Sequence, residues 1–112
     1  MQENTKSEIE QKDVISKIKS VAVNSLPPRS SLLLYGSRAR GDAHDDSDWD
    51  LLILLDKQSI EASDYGFAYP FRKLGWEIGE ELNPSLYTKK QWSSWTYLPF
   101  YKNVEKEKIV IL

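Results

Sequence analysis

Apolar residues recur at helical spacing near the start of the chain and predict an amphipathic helix that covers a sheet. The positions that share one helical face are Val14, Ile15, Ile18, Val21 and Ala22. Ser7 and Glu10 have the spacing of a capping box at the start of this helix. Pro27 and Pro28 end it, because proline cannot continue a helix. We expect the polar residues 1–6 to be frayed.

Two short apolar runs have the length of β-strands, and two further strands are predicted after them. The first runs are Ser31–Tyr35 and Trp49–Leu55. The continuous Leu and Ile composition of the second predicts burial on both faces, and therefore a central strand. A third strand is predicted within residues 76–87, at a sheet edge or bulged, because Pro84 cannot donate to a ladder. The apolar tail 109–112 is predicted to add an edge strand or to dock on a partner.

A helix is predicted between the second and third strands. Ser63 and Asp64 are candidate caps for a helix that runs through about Leu74. Pro70 lies inside this stretch and would kink the helix or split it in two. Gly75 is the predicted stop, because glycine commonly ends helices.

Two short helices are predicted near the C-terminal end of the sequence. Thr88 and Gln91 form a second candidate capping box, which opens a helix through Trp95. Pro99 fits the first turn of a last helix that ends at about Lys106.

Length, charge and cysteine content exclude several classes of function. The 112 residues are near the common size of one domain. The net charge of −2 gives no basic footprint, so nucleic-acid binding by a broad patch is disfavoured. The absence of cysteine excludes disulfides and thiol chemistry and favours a reducing cytoplasm. No apolar run is long enough to span a bilayer, and because polar and charged residues follow Met1 we do not expect a secretory signal.

Asp48 and Asp50 form the most informative polar pair in the chain. Side chains at i and i+2 of a strand point to the same face, which brings the two carboxylates together. At ~5 Å and an effective dielectric of ~20 they repel by roughly 3 kcal/mol. A divalent cation would remove this repulsion, and hard oxygen ligands with only His44 nearby favour magnesium or manganese over zinc. The alternative is an Asp-rich turn without chemistry.

A candidate anion-binding turn precedes this pair. Glycine at Gly36 allows close approach of the backbone to a ligand. The amides of a helix that begins at Ser37 would point toward an anion, and the Ser37 hydroxyl adds a donor. Arg38 and Arg40 offer forked donors that suit phosphate. The alternatives are that Ser37 is an ordinary N-cap and that the arginines pair with the loop acids Asp42, Asp45 and Asp46.

The combination of turn, arginines and paired carboxylates points to phosphoryl or nucleotidyl transfer. In such reactions the protein mainly positions the reactants and neutralises charge. Two metal ions ~3.5–4 Å apart would activate the attacking oxygen and stabilise the leaving pyrophosphate.

The double motif in this region resembles a known signature. Residues 36–41 read Gly-Ser-Arg-Ala-Arg-Gly and residues 47–51 read Ser-Asp-Trp-Asp-Leu. This sequence is similar to the signature of the DNA polymerase beta-like nucleotidyltransferase superfamily, and its details resemble the minimal nucleotidyltransferase branch. The resemblance implies an α+β fold over nearly the whole chain, with a small mixed or antiparallel sheet flanked by helices, as in the polymerase beta palm.

The resemblance also implies roles for particular residues. Gly36 and Ser37 would bind the phosphates of a nucleotide, and Asp48 and Asp50 would be magnesium ligands. The family supplies a third carboxylate from the next core strand. The candidates here are Glu80 and Glu81, of which only one can face the site. The clear Asp before an apolar strand that the family pattern has is missing.

By the same resemblance, the chain would be a magnesium-dependent nucleotidyltransferase. It would transfer a nucleoside monophosphate, AMP in the case of ATP, to a hydroxyl and release pyrophosphate. The acceptor would be a partner protein, such as a HEPN-domain toxin, or a small molecule. The sequence is compatible with a monomer and with an oligomer of this chain.

Two other functions compete with the enzyme. The chain would be an inactive relative, for example an antitoxin, that binds a partner through its C-terminal aromatic residues. These residues are Trp92, Trp95, Tyr97, Phe100 and Tyr101. The third possibility is a small globular domain whose acidic turn binds nothing.

Overall fold

The computed structural model describes residues 6–112, with side chains from Glu10 onward. In chain order the elements are α1 (Lys6–Ser25), β1 (Ser31–Tyr35), α2 (Ser37–Arg40), β2 (Trp49–Leu55), a 3-10 helix (Ala62–Ala68), α3 (Tyr69–Ile78), β3 (Leu82–Thr88), α4 (Lys89–Ser94), α5 (Pro99–Glu107) and β4 (Ile109–Val110). The capping box at Ser7 lies outside the described side chains. The frayed start predicted over 1–6 also lies outside, except Lys6, which is helical.

The four described strands form one mixed sheet in the order β3-β2-β1-β4. β2 is central, antiparallel to β1 and parallel to β3, and β4 pairs with β1. Pro84 lies on β3, which is an edge strand as the sequence predicted. The tail likewise adds an edge strand at Ile109–Val110. The predicted α+β class with a small mixed sheet is confirmed.

The apolar composition of β2 is explained by burial on both faces of the sheet. On one face, Leu51 and Ile53 pack with residues of α1 and α3. On the other face, Leu52 and Leu54 pack with Trp92 of α4 and Val104 of α5. Each fully buried Leu or Ile side chain contributes about 1.5–3 kcal/mol to folding, so β2 holds the two layers of helices on the sheet.

The C-terminal aromatic residues mostly pack on one another rather than facing solvent. Trp92 contacts the rings of Trp95, Phe100 and Tyr101, with ring centroids 4.9–6.4 Å apart. Its indole N–H donates to Glu105 at 2.9 Å. Tyr97 is 70% exposed and Phe100 38%. Most of the segment considered for partner docking therefore packs on the face of the sheet that carries Leu52 and Leu54.

α3 differs from its prediction at both ends. It continues past Gly75 to Ile78 and ends at Gly79, whose left-handed φ of 72° suits a C-cap. Gly75 is buried, and a Cβ there would meet the carbonyl oxygen of Glu80. The glycine therefore allows close approach of the chain, which a local pattern cannot distinguish from a helix stop. β3 accordingly begins at Leu82, well after residue 76.

The helical stretch before α3 begins two or three residues earlier than expected. Its capping box joins Glu61 and Asp64, so Asp64 is the N3 residue rather than the cap. Pro70 lies in the first turn of α3 and separates it from the 3-10 helix, which is the predicted split. The Thr88–Gln91 capping box is confirmed, with the Gln91 N–H donating to Thr88 Oγ1 at 3.0 Å. None of the described helices is long and apolar enough to cross a bilayer.

Candidate active site

The glycine turn and the paired aspartates lie side by side at one end of the sheet. Tyr35, the last residue of β1, pairs with Asp50 of β2. Gly36 follows with φ 77° and ψ −160°, a conformation that is essentially restricted to glycine. A Cβ on Gly36 would collide with the carboxylate of Asp50. The two motifs that are 14 residues apart in sequence are therefore in direct contact.

Asp50 lies on β2 and Asp48 just before the strand begins at Trp49, and the two carboxylates are close enough for the charge of Asp48 to act on Asp50. Asp50 is partly buried, and burial raises the pKa of its carboxyl group, with a further contribution from the negative charge of Asp48. Asp48 accepts a hydrogen bond from Asn83 Nδ2 at 3.0 Å. Asn83 is the register partner of Asp50 on the neighbouring strand β3. The residue of β3 that contacts the paired carboxylates is therefore an amide, Asn83, and not a third carboxylate.

The two candidate glutamates lie in different surroundings. Glu81 has the parity of Asn83 and lies beside Asp48, and a proton shared between these two carboxyl groups, together with the charge of Asp48, raises the pKa of Glu81. Glu80 Oε2 instead accepts from the indole N–H of Trp49 at 3.2 Å and lies 3.9 Å from Arg38. Of the two, Glu81 is the one beside the paired aspartates.

Arg38 is held by the loop that follows α2. Its guanidinium lies 4.5 Å from the centre of the Trp49 ring and donates to the Ser47 carbonyl at 3.0 Å. A further bond reaches the Asp45 carbonyl at 3.3 Å. The Arg38 side chain is only 11% exposed. These contacts fasten the acidic loop to the start of β2, and so help to position Asp48.

Arg40 and the amide of Gly36 already share an anionic partner. The carboxylate of Glu107, at the end of α5, accepts from the Gly36 N–H at 3.0 Å and from Arg40 Nη1 at 3.0 Å. The Glu107 side chain is 15% exposed. The hydrogen bond from Arg40 to Glu107, followed by the one to Asp42, raises the pKa of Arg40. A carboxylate therefore fills the anion position that the sequence assigns to phosphate.

Sequence reasoning missed both Asn83 and Glu107. Asn83 could have been found from its parity with Glu81, once the start of β3 was known. Glu107 is 71 residues from Gly36 and carries no local signal, because only the packing of α5 brings it to the turn.

The paired carboxylates offer the hard oxygen ligands that a divalent cation such as magnesium takes. Among the described residues, no three His, Cys, Asp or Glu side chains converge as a preformed cage. Magnesium, however, often takes only one or two protein carboxylates and completes its shell with phosphate oxygens and water. Burial, followed by the negative charge of Asp48, raises the pKa of Asp50, and a bound cation would relieve the repulsion between the two carboxylates. The residues present fit a cation bound together with phosphate.

The fold and this motif geometry define a class of protein. A family model described as a nucleotidyltransferase domain matches residues 15–111. The chain therefore belongs to the nucleotidyltransferase-domain family, and the resemblance drawn from residues 36–51 is confirmed.

Comparison with solved structures supports the same fold. A crystal structure of a toxin-antitoxin with AMP-PNP is similar to this chain, with a TM-score of 0.62 and 17% sequence identity. The similarity covers 88% of this chain and 72% of the other. At this identity it establishes the shared fold alone. No curated protein matches the sequence.

Proposed function

We propose that this chain transfers a nucleoside monophosphate from ATP, or another nucleoside triphosphate, to a hydroxyl group. The observation that carries the proposal is the contact between Gly36 and Asp50, with Asp48 close to Asp50 at the start of β2. One site thus combines donors for a phosphate tail with carboxylates for a cation. In the reaction the acceptor oxygen bonds to the α-phosphorus, and the bond from that phosphorus to the bridging oxygen breaks and releases pyrophosphate.

The turn side of the site would bind the departing phosphates. The Gly36 amide and the Arg40 guanidinium are the charge-assisted donors, and the Ser37 hydroxyl adds a third. Because Glu107 now accepts from the first two, a bound triphosphate has to take its place. The exchange substitutes one anion for another, so the donors stay satisfied before and after binding.

The carboxylate side would bind magnesium and prepare the nucleophile. Asp48 and Asp50 would hold the cation, which when bound neutralises phosphate charge. Glu81 lies beside Asp48, where a carboxylate can accept a proton from a hydroxyl that approaches the site. We infer that Glu81 accepts the proton of the attacking hydroxyl.

Glu107→Gln is expected to tighten binding of magnesium AMP-PNP by roughly 3- to 10-fold, because it removes a negative charge from the phosphate position and keeps an acceptor for the Gly36 N–H. Isothermal titration calorimetry measures this change. Glu105→Gln is the matched control, since Glu105 lies on the same helix but binds Trp92 and Lys108. Weaker binding by Glu107→Gln, or equal tightening by the control, contradicts this role.

The position of the label decides between nucleotidyl and phosphoryl transfer. The chain is incubated with magnesium and ATP labelled at the α- or at the γ-phosphate, together with candidate protein and small-molecule acceptors. We expect the α-label in the acceptor and the γ-label in pyrophosphate. Transfer of the γ-label, or no transfer of either label to any acceptor, argues against the proposal.

A second candidate is a catalytically weak relative that works by binding a partner, as an antitoxin does. The observation that favours it is Asn83, an amide in register with Asp50 on the next core strand. The toxin-antitoxin that shares the fold is compatible with this role, and a HEPN-domain protein is then the proposed partner. Nucleotide binding without transfer to any acceptor would favour this second candidate.

A further inference from the structure

The exposed aromatic residues of this chain concentrate on the helical stretch before β3. Tyr65, Tyr69 and Trp76 are 60%, 55% and 70% exposed, and Arg72 lies between them. Tyr69, Arg72 and Trp76 lie three and four residues apart on α3, which places them on one helical face, and Tyr65 of the preceding 3-10 helix lines one cavity together with Tyr69 and Arg72. The rings of Tyr69 and Trp76 meet edge to face, with centroids 6.0 Å apart. We call these four residues the aromatic face.

A groove separates the aromatic face from the free edge of β3. One cavity, of about 420 Å³, is lined by residues that include Arg72, Trp76, Glu81 and Asn83. A second, of about 520 Å³, also includes Arg72 and continues past Pro84 toward the far end of β3. We call the two together the edge groove. α3 packs on the face of the sheet opposite Asp50, but the first cavity reaches Glu81 and Asn83 at the sheet edge, and both of these contact Asp48.

The geometry of the proposed reaction sets the side of the site from which the acceptor hydroxyl attacks. The attacking and leaving oxygens lie roughly in line on opposite sides of the transferred phosphorus. The donors for the leaving phosphates lie on the β1 side of Asp50, at Gly36 and Arg40. The edge groove lies on the opposite side of β2, because β3 and β1 flank that strand. An in-line attack would therefore come from the β3 side of Asp50, where the edge groove lies.

The size and chemistry of the aromatic face favour a protein as the acceptor. From Tyr65 to Trp76 the face extends on the order of 16 Å, longer than a small metabolite. Tyr, Trp and Arg are the residue types that dominate the energetics of protein interfaces. Pro84 removes a donor from the middle of the open edge, so an added strand would be interrupted there. The occupant must therefore bind mainly through side chains.

Arg72 adds an unpartnered positive charge to the aromatic face, and this charge favours an acidic binding partner. Within the side chains that the structure describes, from Glu10 onward, Arg72 makes no ion pair or hydrogen bond. The adjacent Lys73, in contrast, lies 3.9 Å from Glu77 of its own helix. An unpaired guanidinium between exposed aromatic rings is complementary to a carboxylate flanked by apolar side chains.

We propose that the aromatic face docks an acceptor protein through an acidic residue set among apolar ones, and that this protein presents its hydroxyl to Glu81 along the edge groove. The proposal rests on the proposed nucleotidyl transfer and adds the surface and the chemistry of its partner. It also moves the docking surface from the C-terminal aromatic segment to α3.

Selection from a displayed library of random peptides tests the proposal with a defined probe. The full chain is used as wild type, Arg72→Glu, Trp76→Ala and Lys73→Glu, the last being a matched charge reversal outside the groove. Peptides enriched on the wild type are expected to be acidic and apolar. They should bind roughly 10-fold or more weakly to Arg72→Glu and to Trp76→Ala, and unchanged to Lys73→Glu. Arg72→Glu is expected to enrich basic peptides instead.

Several results would overturn the proposal. They are no enrichment on the wild type, equal binding by Arg72→Glu, an equal loss in Lys73→Glu, or self-association that Trp76→Ala abolishes, which would assign the face to a second copy. Binding of magnesium AMP-PNP is measured on the same samples by calorimetry. Intact nucleotide binding with no effect of Arg72→Glu removes the docking proposal alone, whereas absence of nucleotide binding in every variant removes the proposed function.

Discussion

Asp50→Asn is expected to reduce nucleotidyl transfer by at least roughly 10²–10³-fold, the range for loss of one preorganised electrostatic group. The substitution keeps the size of the side chain and removes the charge that would hold a cation. It also removes an unfavourable ionisation, because burial and the charge of Asp48 both raise the pKa of Asp50. Transfer is measured with α-labelled ATP, and stability by thermal unfolding of the same samples.

The raised pKa of Asp50 gives the stability change a definite sign. A folded pKa above the unfolded value means that the folded state binds more protons over that range of pH. This residue therefore makes the wild type less stable as pH rises through the carboxyl range, and Asp50→Asn removes that contribution. We expect the variant to be at least as stable as the wild type at neutral pH, with the difference disappearing at acidic pH.

Asp56→Asn is the matched control, because Asp56 immediately follows β2 at the opposite end and pairs with exposed Arg29. It should retain full transfer activity. Full activity in Asp50→Asn, or an equal loss in both variants, would show that the paired carboxylates have no special part in the reaction.

Gly36→Ala is expected to abolish nucleotide binding and to destabilise the fold. The backbone of Gly36 has φ 77° and ψ −160°, and forcing another residue into such a region costs about 1–3 kcal/mol. The new Cβ would in addition collide with the Asp50 carboxylate, so the turn has to move away from β2. Thermal unfolding and calorimetry with magnesium AMP-PNP measure the two effects.

Gly79→Ala separates backbone strain from the collision. Gly79 has a similar φ of 72°, but a Cβ there meets nothing within 4 Å. We expect this variant to lose some stability and to keep its affinity for the nucleotide. If Gly36→Ala bound AMP-PNP as well as Gly79→Ala does, close contact between the turn and Asp50 would be irrelevant to binding.

The elements with strong local signals were predictable from the sequence. The apolar runs of β1 and β2, the capping box at Thr88 and the edge position of Pro84 each follow from side-chain chemistry within a few residues. The motif at residues 36–51 was also recognisable from the local sequence, because its turn and its carboxylates lie at the adjoining ends of two consecutive paired strands, β1 and β2. These signals were enough for the fold class and the family.

The remaining features depend on contacts between distant segments. The choice between Glu80 and Glu81 follows from the register of β3 on β2, which begins at Leu82 opposite Trp49. The sequence predicted that the helix ends at Gly75. Glycine is common both at helix ends and where two segments pack closely, and the local sequence does not distinguish the two roles. The contact of Glu107 with Gly36 exists only because α5 packs across the sheet. No local pattern contains this information.

The measurement that tests the central claim most directly is a crystal structure of the chain with AMP-PNP and magnesium. The account predicts phosphate oxygens on the Gly36 amide and Arg40, a cation bound by Asp48 and Asp50, and the Glu107 carboxylate displaced from the turn. A triphosphate bound elsewhere, or a cation that neither aspartate contacts, would contradict it.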